Sequence, residues 1–379
     1  RILDILRVLA VAALIRGMEN IWVIAFLKQY SFRRDFFYNT VLKIAGVTVT
    51  ACLAYWLRSY WALVYGQLSI AVLRLVFSFY LAPEMARPTL RQWRHIWSFS
   101  QWSLVKGIAN YVYLASDRVI LGRFASADIV GVYTVGREFA DMPVSEISAP
   151  INRVLGPGFS NLQTEPQRLA QAVAKSVGAV ATVAFPLAIG MALTAELLVP
   201  IALGPGWDEM VPLVQLLAVS GCFSCLSGII GNALVVIGQI RTSTIVAWVR
   251  AFVFIGLGVP AVMQYGAPGL ATAFLMTEVV CLFLTFFYFN KYVPALKASA
   301  VLAVCIRPFV SVVLMCAPVV ALRYSDINVS ILELLAQIGS GAVVYTAALM
   351  SLWIMMGRPD SIETIVIEHI KKNYAKIMK

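Results

Sequence analysis

The sequence predicts an all-α, polytopic membrane protein. Three observations carry this. Hydrophobic residues make up 60% of the 379 residues and charged residues only 13%, where soluble domains carry about 25% charged residues. Mean hydropathy is +0.82. Apolar runs close to 20 residues, the length that crosses a bilayer as a helix, recur along the chain. Helices are required, because irregular backbone cannot face lipid.

Eleven spans are expected, at 2–27, 38–57, 60–82, 99–122, 128–152, 172–199, 210–237, 242–262, 267–290, 299–322 and 331–356. Arg16 and Glu19 interrupt the first. The formal charge of +11 fits loops rich in Lys and Arg on one side of the membrane, rather than nucleic-acid binding. Lys28, Arg33 and Arg34 lie after the first span. Arg87, Arg91 and Arg94 follow the third, Arg153 and Arg168 the fifth, and Arg241 the seventh; Lys291 and Lys297 follow the ninth. Together with the basic tail, this alternation puts these loops and the C-terminus in the cytoplasm. Residues 88–98, with Trp93 and Trp97 among Arg91 and Arg94, are expected at headgroup depth. The tail DSIETIVIEHIKKNYAKIMK opens with a capping box, Asp360 to Glu363. It aligns Ile362, Val366, Ile370 and Ile377 as an amphipathic helix on the inner leaflet.

An internal repeat is visible. Val8-Leu9-Ala10-Val11 matches Leu216-Leu217-Ala218-Val219, Tyr60-Trp61-Ala62 matches Tyr265-Gly266-Ala267, and Lys43 matches Arg250, at offsets of 208, 205 and 207. Transporters are often built from such repeats. The span from residue 99 would then have a partner ahead of residue 1, which leads us to expect three further helices there, about a hundred residues of chain.

The polar residues inside the spans hold the functional information. Along GREFADMPVSEISAPINR (136–153), a rotation of about 100° per residue puts Thr134, Arg137, Glu138, Asp141, Ser145, Ser148 and Asn152 in one sector. An ionised residue at mid-membrane costs about 2.5–3.5 kcal/mol and a Leu or Val returns about 0.3–0.6. This face therefore does not meet lipid. Pro143 is expected to kink the helix. In the preceding span Ser103, Lys106, Asn110, Tyr113 and Asp117 follow one stripe. Gln67, Arg74 and Ser78 do so in 60–82, while Lys43, Arg250 and Glu278 are charges in other spans. Cations converging on one interior suit an anionic substrate. The alternative is internal pairing, such as Arg137 with Asp141 or Arg250 with Glu278, with Lys43 and Arg74 snorkelling at helix ends. Ser220, Ser224, Ser227, Gly228 and Gly231 read as a tight helix-packing seam.

Other chemistry is poorly supported. The six cysteines lie in apolar runs and the two histidines are far from Cys222-x-x-Cys225, so no metal and no cofactor is expected. Asn328-Val329-Ser330 is read as a chance sequon. No loop is long enough for a separate catalytic domain, and there is no D-x-D or Ser-His-Asp set, so the chain reads as a transporter and not an enzyme.

Four stretches resemble a known family: RSYWALVYGQ (58–67), WSFSQWSLVKGIANYVYLASDRVILGRF (97–124), VGVYTVGREFADMPVSEISAPINRVLGPGFSNLQ (130–163) and PGWDEMVPLVQLLAV (205–219). They are similar to bacterial polysaccharide and O-antigen flippases of the multidrug/oligosaccharidyl-lipid/polysaccharide exporter superfamily. The resemblance implies about fourteen helices in two pseudo-symmetric lobes of six plus two extra helices. It would assign 1–98 to the end of the first lobe, 99–298 to the second, 299–356 to the added pair and 357–379 to a cytoplasmic tail. It implies alternating-access transport, across the bacterial inner membrane, of an undecaprenyl-pyrophosphate-linked oligosaccharide for O-antigen or exopolysaccharide synthesis. Glycosyltransferases or a polymerase would be partners. Lys43, Arg74, Lys106, Arg137 and Arg250 are the matching candidates for its cationic cavity. Asn110, Asp117, Glu138, Asp141, Asn152 and Glu278 are candidates for polar contacts or ion coupling. The rival is a cation-coupled multidrug antiporter of the same superfamily, which would favour carboxylates over cations.

Overall fold

The computed structural model describes residues 2–20, 22, 32–81, 93–323, 330–357 and 364. Among these residues the regular structure is entirely helical. Two compact units are formed, Arg1–Trp93 and Arg94–Lys379.

The first unit holds α1 (Ile2–Gly17), α2 (Phe32–Leu57) and α3 (Trp61–Leu81). The first expected span, 2–27, opens with a helix shorter than the span. Its helix ends at Gly17, and the chain then turns through Met18 and Glu19, whose amides bond back to Ile15 and Arg16. The Asn20 amide donates to Ser78 Oγ at 3.0 Å, so the polar residues that interrupt the run also anchor its end to α3. Residues 21 and 23–31 lie outside the described residues. Arg16 donates to Gln67 Oε1 at 2.8 Å, and Tyr38 donates to Glu19 and to the Arg74 carbonyl.

The second unit begins with α4 (Trp93–Phe124) and α5 (Ala127–Ser160). They are followed by α6 (Pro166–Leu203), the short turn Asp208–Met210, α7 (Val211–Val236) and α8 (Ile240–Tyr292). α9 (Ala298–Arg323) and α10 (Ser330–Met355) pack as a pair against α6. Start signals are local: Ser126 caps α5 through the Ile129 amide, and a proline opens α6 and α7. α5 remains one helix through Pro143, Pro150 and Pro157, each of which removes one amide donor. Residues 93–98, expected as part of an interfacial segment, are the first turns of α4; 88–92, nearly all of the amphipathic tail, and Asn328 and Val329 of the sequon lie outside the described residues.

The 53 residues of α8 are two spans, not one. Gly266 breaks the helix with φ 63° and ψ −145°, a conformation open to glycine. The halves return antiparallel, since Gly258 meets Leu270, Phe254 meets Phe274, Arg250 meets Glu278 and Thr242 meets Tyr292. A Cβ on Gly269 would stand 2.2 Å from the Ala261 carbonyl oxygen, so backbone meets backbone there. We expect Gly269→Ala to cost about 1–3 kcal/mol through overpacking. Gly256→Ala, where nothing lies within 4 Å, should be tolerated. Thermal melts in detergent compare the two.

Among the described residues, seven helices are long and apolar enough to cross a membrane, with α8 counted once. α1, α4 and α5 are not among them. The 16 described residues of α1 reach about 24 Å, short of a hydrocarbon core of about 30 Å. α4 and α5 carry the dense charges: Lys106, Asp117, Arg118 and Arg123 on one, and Arg137, Glu138, Asp141 and Glu146 on the other. The outer faces are apolar. Met276, Val280, Phe283 and Phe287 on α8 and Leu302, Ile306, Phe309 and Val313 on α9 are exposed at helical spacing. Water would not tolerate such a patch, but a bilayer solvates it. The chain is therefore a multi-pass membrane protein.

Candidate functional site

The second unit forms a cavity of about 510 Å³ between α4, α5, α7 and α8. Its depth follows from the residues that line it. They come from the middle of α4 (Lys106, Asn110), from α5 between its middle and Asn152 (Asp141 to Asn152) and from α7 between Gly221 and Leu234. On α8 they are Ser243 to Arg250, with Cys281 and Thr285 opposite. All of these approach the membrane face that carries Arg153, Arg168, Arg241 and Lys291. The opposite end is sealed by apolar packing of Ile120, Leu121, Tyr133, Val199, Leu213, Leu217, Val262 and Leu270.

Two ion pairs form the floor between cavity and seal, one buried on both sides and one with its arginine reaching the cavity. Arg250 Nε donates to Glu278 Oε1 at 3.1 Å, and its Nη2 bonds to the same oxygen. Glu278 is fully buried, and Tyr113 donates to that oxygen as well. Arg137 pairs with Asp117, and both are buried. An aromatic stack joins the pairs. Arg250 lies 4.2 Å over the Tyr113 ring, Tyr113 is stacked on Phe274 at 5.6 Å, and Arg137 lies 4.4 Å from the other partner, Phe274. Cation–π contact of this kind is worth about 2 kcal/mol when desolvated.

The candidates predicted from sequence separate clearly. Lys106, Asn110, Asp141, Asn152 and Arg250 line the cavity. Arg137, Asp117 and Glu278 lie beneath it, and Arg137 finds its partner on α4, not in Asp141 one turn away. Arg250 does pair with Glu278. Glu138 is exposed and does not line the cavity. Lys43 and Arg74 belong to the first unit, Lys43 exposed and Arg74 half-buried.

The α7 seam is corrected by the structure. Ser220 is buried, and Gly221 does approach Val144 closely. Ser224, Ser227, Gly228 and Gly231, however, line the cavity, and Gly228 has no neighbour within 4 Å of a Cβ position. Small residues here leave space instead of closing it. Asn232, Ser243 and Thr285 were not singled out from sequence; for Asn232 the signal was small polar side chains at helical spacing on α7, which suits a cavity wall as well as a seam, while Ser243 and Thr285 lie on α8. α5 is tied to α7 by Ser148 with Cys225 at 2.9 Å and by Asn232 donating to Asn152 at 2.9 Å.

The lining is polar more than cationic. Arg250 is compensated by Glu278, while Lys106 and Asp141 make no ion pair among the described residues. Around them stand nine uncharged hydroxyl and amide side chains. Such a wall can hydrogen-bond a hydroxyl-rich molecule, with Lys106 offering one charge to an anionic group.

Comparison with known proteins agrees with this architecture. The solved structure of the lipid II flippase MurJ matches with a TM-score of 0.63 at 12% identity, over 89% of this chain and 72% of that one. It shows the same fold. The lipopolysaccharide biosynthesis protein WzxC of Escherichia coli is 25% identical over 72% of this chain and 56% of its own length. The succinoglycan biosynthesis transport protein ExoT of Rhizobium meliloti is 23% identical over 51% of this chain and 40% of its own. The chain thus spans about half the length of the curated relatives it matches. Residues 1–212 match the family described as polysaccharide biosynthesis protein, and the chain belongs to that family.

Proposed function

We propose that this chain belongs to a transporter that flips an undecaprenyl-diphosphate-linked oligosaccharide across the bacterial inner membrane, for O-antigen or exopolysaccharide synthesis. The observation that carries this reading is the polar cavity between α4, α5, α7 and α8, set towards the end of the helices that carries the basic loops, with apolar packing at the other end. The family membership and the naming of relatives as biosynthesis and transport proteins support it. The basic loops and tail support a cytoplasmic C-terminus. In this reading the sugars meet the hydroxyl and amide wall, Lys106 and the free edge of Arg250 meet the diphosphate, and the prenyl chain stays in lipid. Arg137 would add positive potential from beneath the cavity, and Lys43 and Arg74, in the first unit, are further candidates to meet an anionic part of the cargo. Alternating access would rock the helices around the cavity. Asp117, Glu138, Asp141 and Glu278 are the carboxylates available to couple transport to an ion. Glycosyltransferases and a polymerase would supply and consume the cargo.

Asp141 in the lining favours one second reading, a cation-coupled multidrug antiporter, whose cargo would pair with a carboxylate. Lys106 in the same lining counts against it. A strain deleted for the gene separates the two. We expect Lys106→Ala to reduce surface polysaccharide at least tenfold at normal protein level, with drug susceptibility unchanged. Normal polysaccharide with altered drug susceptibility would replace the flippase reading by the antiporter.

A further inference from the structure

The cavity holds two charges that make no ion pair among the described residues, and they differ in sign and in helix. Lys106 comes from α4 and Asp141 from α5. Arg250, the third charge in the wall, has its Nε and one Nη bonded to a fully buried carboxylate. With Glu278 counted, the wall has no net charge. An accumulation of cations would take any anionic sugar. This wall is different, because an anion seated beside Asp141 meets a like charge at close range in a site partly removed from water. Such repulsion is strong at low effective dielectric. A neutral sugar at the same place meets a good acceptor, since a carboxylate accepts from two neighbouring hydroxyls.

Resting on the flippase reading, we infer that this cavity recognises the sugar part of the cargo and that Asp141 makes it selective for uncharged sugars over acidic ones. Lys106 handles the single anionic group of the cargo. Asp141 is a specificity residue, and Ser145 and Ser148, on the next two turns of α5, extend the surface the same sugar contacts. The volume of about 510 Å³ lies within the roughly 300–1,000 Å³ range of small-molecule sites.

The test uses two probes, a polyprenyl-diphosphate disaccharide with a neutral hexose as its second sugar and the same molecule with a hexuronic acid there. Flipping is read in proteoliposomes and binding on detergent-purified protein. The protein should prefer the neutral probe at least tenfold in both assays, equivalent to about 1.4 kcal/mol. Asp141→Asn should bring the ratio within about threefold, and Asp141→Glu, which keeps the charge, should preserve it. Equal handling of both probes by the unmodified protein would overturn the inference and leave the flippase reading standing. So would an unchanged ratio in a folded Asp141→Asn protein. If neither probe is moved or bound, the flippase reading fails and the inference fails with it.

Discussion

Glu278→Ala should lower the stability of the protein by about 3–5 kcal/mol, the largest loss expected from any single side chain in the second unit. The glutamate is fully buried, and its Oε1 receives Arg250 through two nitrogens and Tyr113 through its hydroxyl. Removing it leaves a largely buried guanidinium without its counter-charge and the Tyr113 hydroxyl without its acceptor, and breaking such a pair from one side costs far more than the pair contributes. Replacing both partners with apolar residues of similar volume separates stability from function. Arg250→Met with Glu278→Leu should melt within about 1 kcal/mol of the unmodified protein. Transport should nevertheless fall sharply, because Arg250 also faces the cavity. Thermal melts in detergent, followed by export assays, check both parts. A single Glu278→Ala as stable as the unmodified protein would show that the pair does not organise the floor.

The second large effect concerns space. Ser145 is exposed and borders the cavity, with Ser148 and Asn152 further along the same face of α5. A tryptophan there would occupy much of the cavity without clashing with a packed neighbour. We expect Ser145→Trp to reduce transport at least a hundredfold while leaving expression, detergent extraction and melting point close to those of the unmodified protein. Glu146→Trp is the control. Glu146 is next in sequence and exposed, yet it does not border the cavity. Transport by that variant should stay within about threefold. Loss of transport in both would point to a general effect of bulk on α5.

These two predictions rest on features that differ in how far sequence reveals them. Hydropathy located the helices closely, because span length is set by bilayer thickness. The break at Gly266 fell between the expected spans 242–262 and 267–290. Inside the first expected span the helix ends at Gly17, which an apolar run does not show because tertiary contacts end it; here Asn20 bonds to Ser78 of another helix. A helical wheel correctly grouped Asp141, Ser145, Ser148 and Asn152 on one face. It also grouped Glu138, which lies at the edge of that sector and is exposed.

The partner of Arg137 was not legible for a different reason. Spacing along one helix offers Asp141, one turn on, but the structure uses Asp117 on α4, which points at Arg137 from across the interface. Periodicity says which residues share a face and nothing about which face is opposite. The serines and glycines of α7 were ambiguous in the same way. Small side chains allow close approach when a bulky neighbour fills the space, as Val144 does against Gly221, and leave a cavity when none does, as at Gly228.

The cavity itself follows from that arrangement. α4 and α5 are the helices least able to face lipid; the Arg137–Asp117 pair joins them, the Arg250–Glu278 pair lies beside it within α8, and polar residues stand on one side of this floor and an apolar seal on the other. A transporter needs such a closed end as much as it needs the open one. The residues that make the floor are therefore expected to matter for stability first, and those that line the wall for cargo.

The central claim is that this cavity carries a lipid-linked sugar. Its most direct test is flipping of a fluorescent polyprenyl-diphosphate oligosaccharide in proteoliposomes, comparing the unmodified protein with Ser145→Trp. The account predicts that the label becomes accessible in the opposite leaflet with the unmodified protein and stays at the protein-free rate with the variant. Equal flipping by the two folded proteins would contradict it.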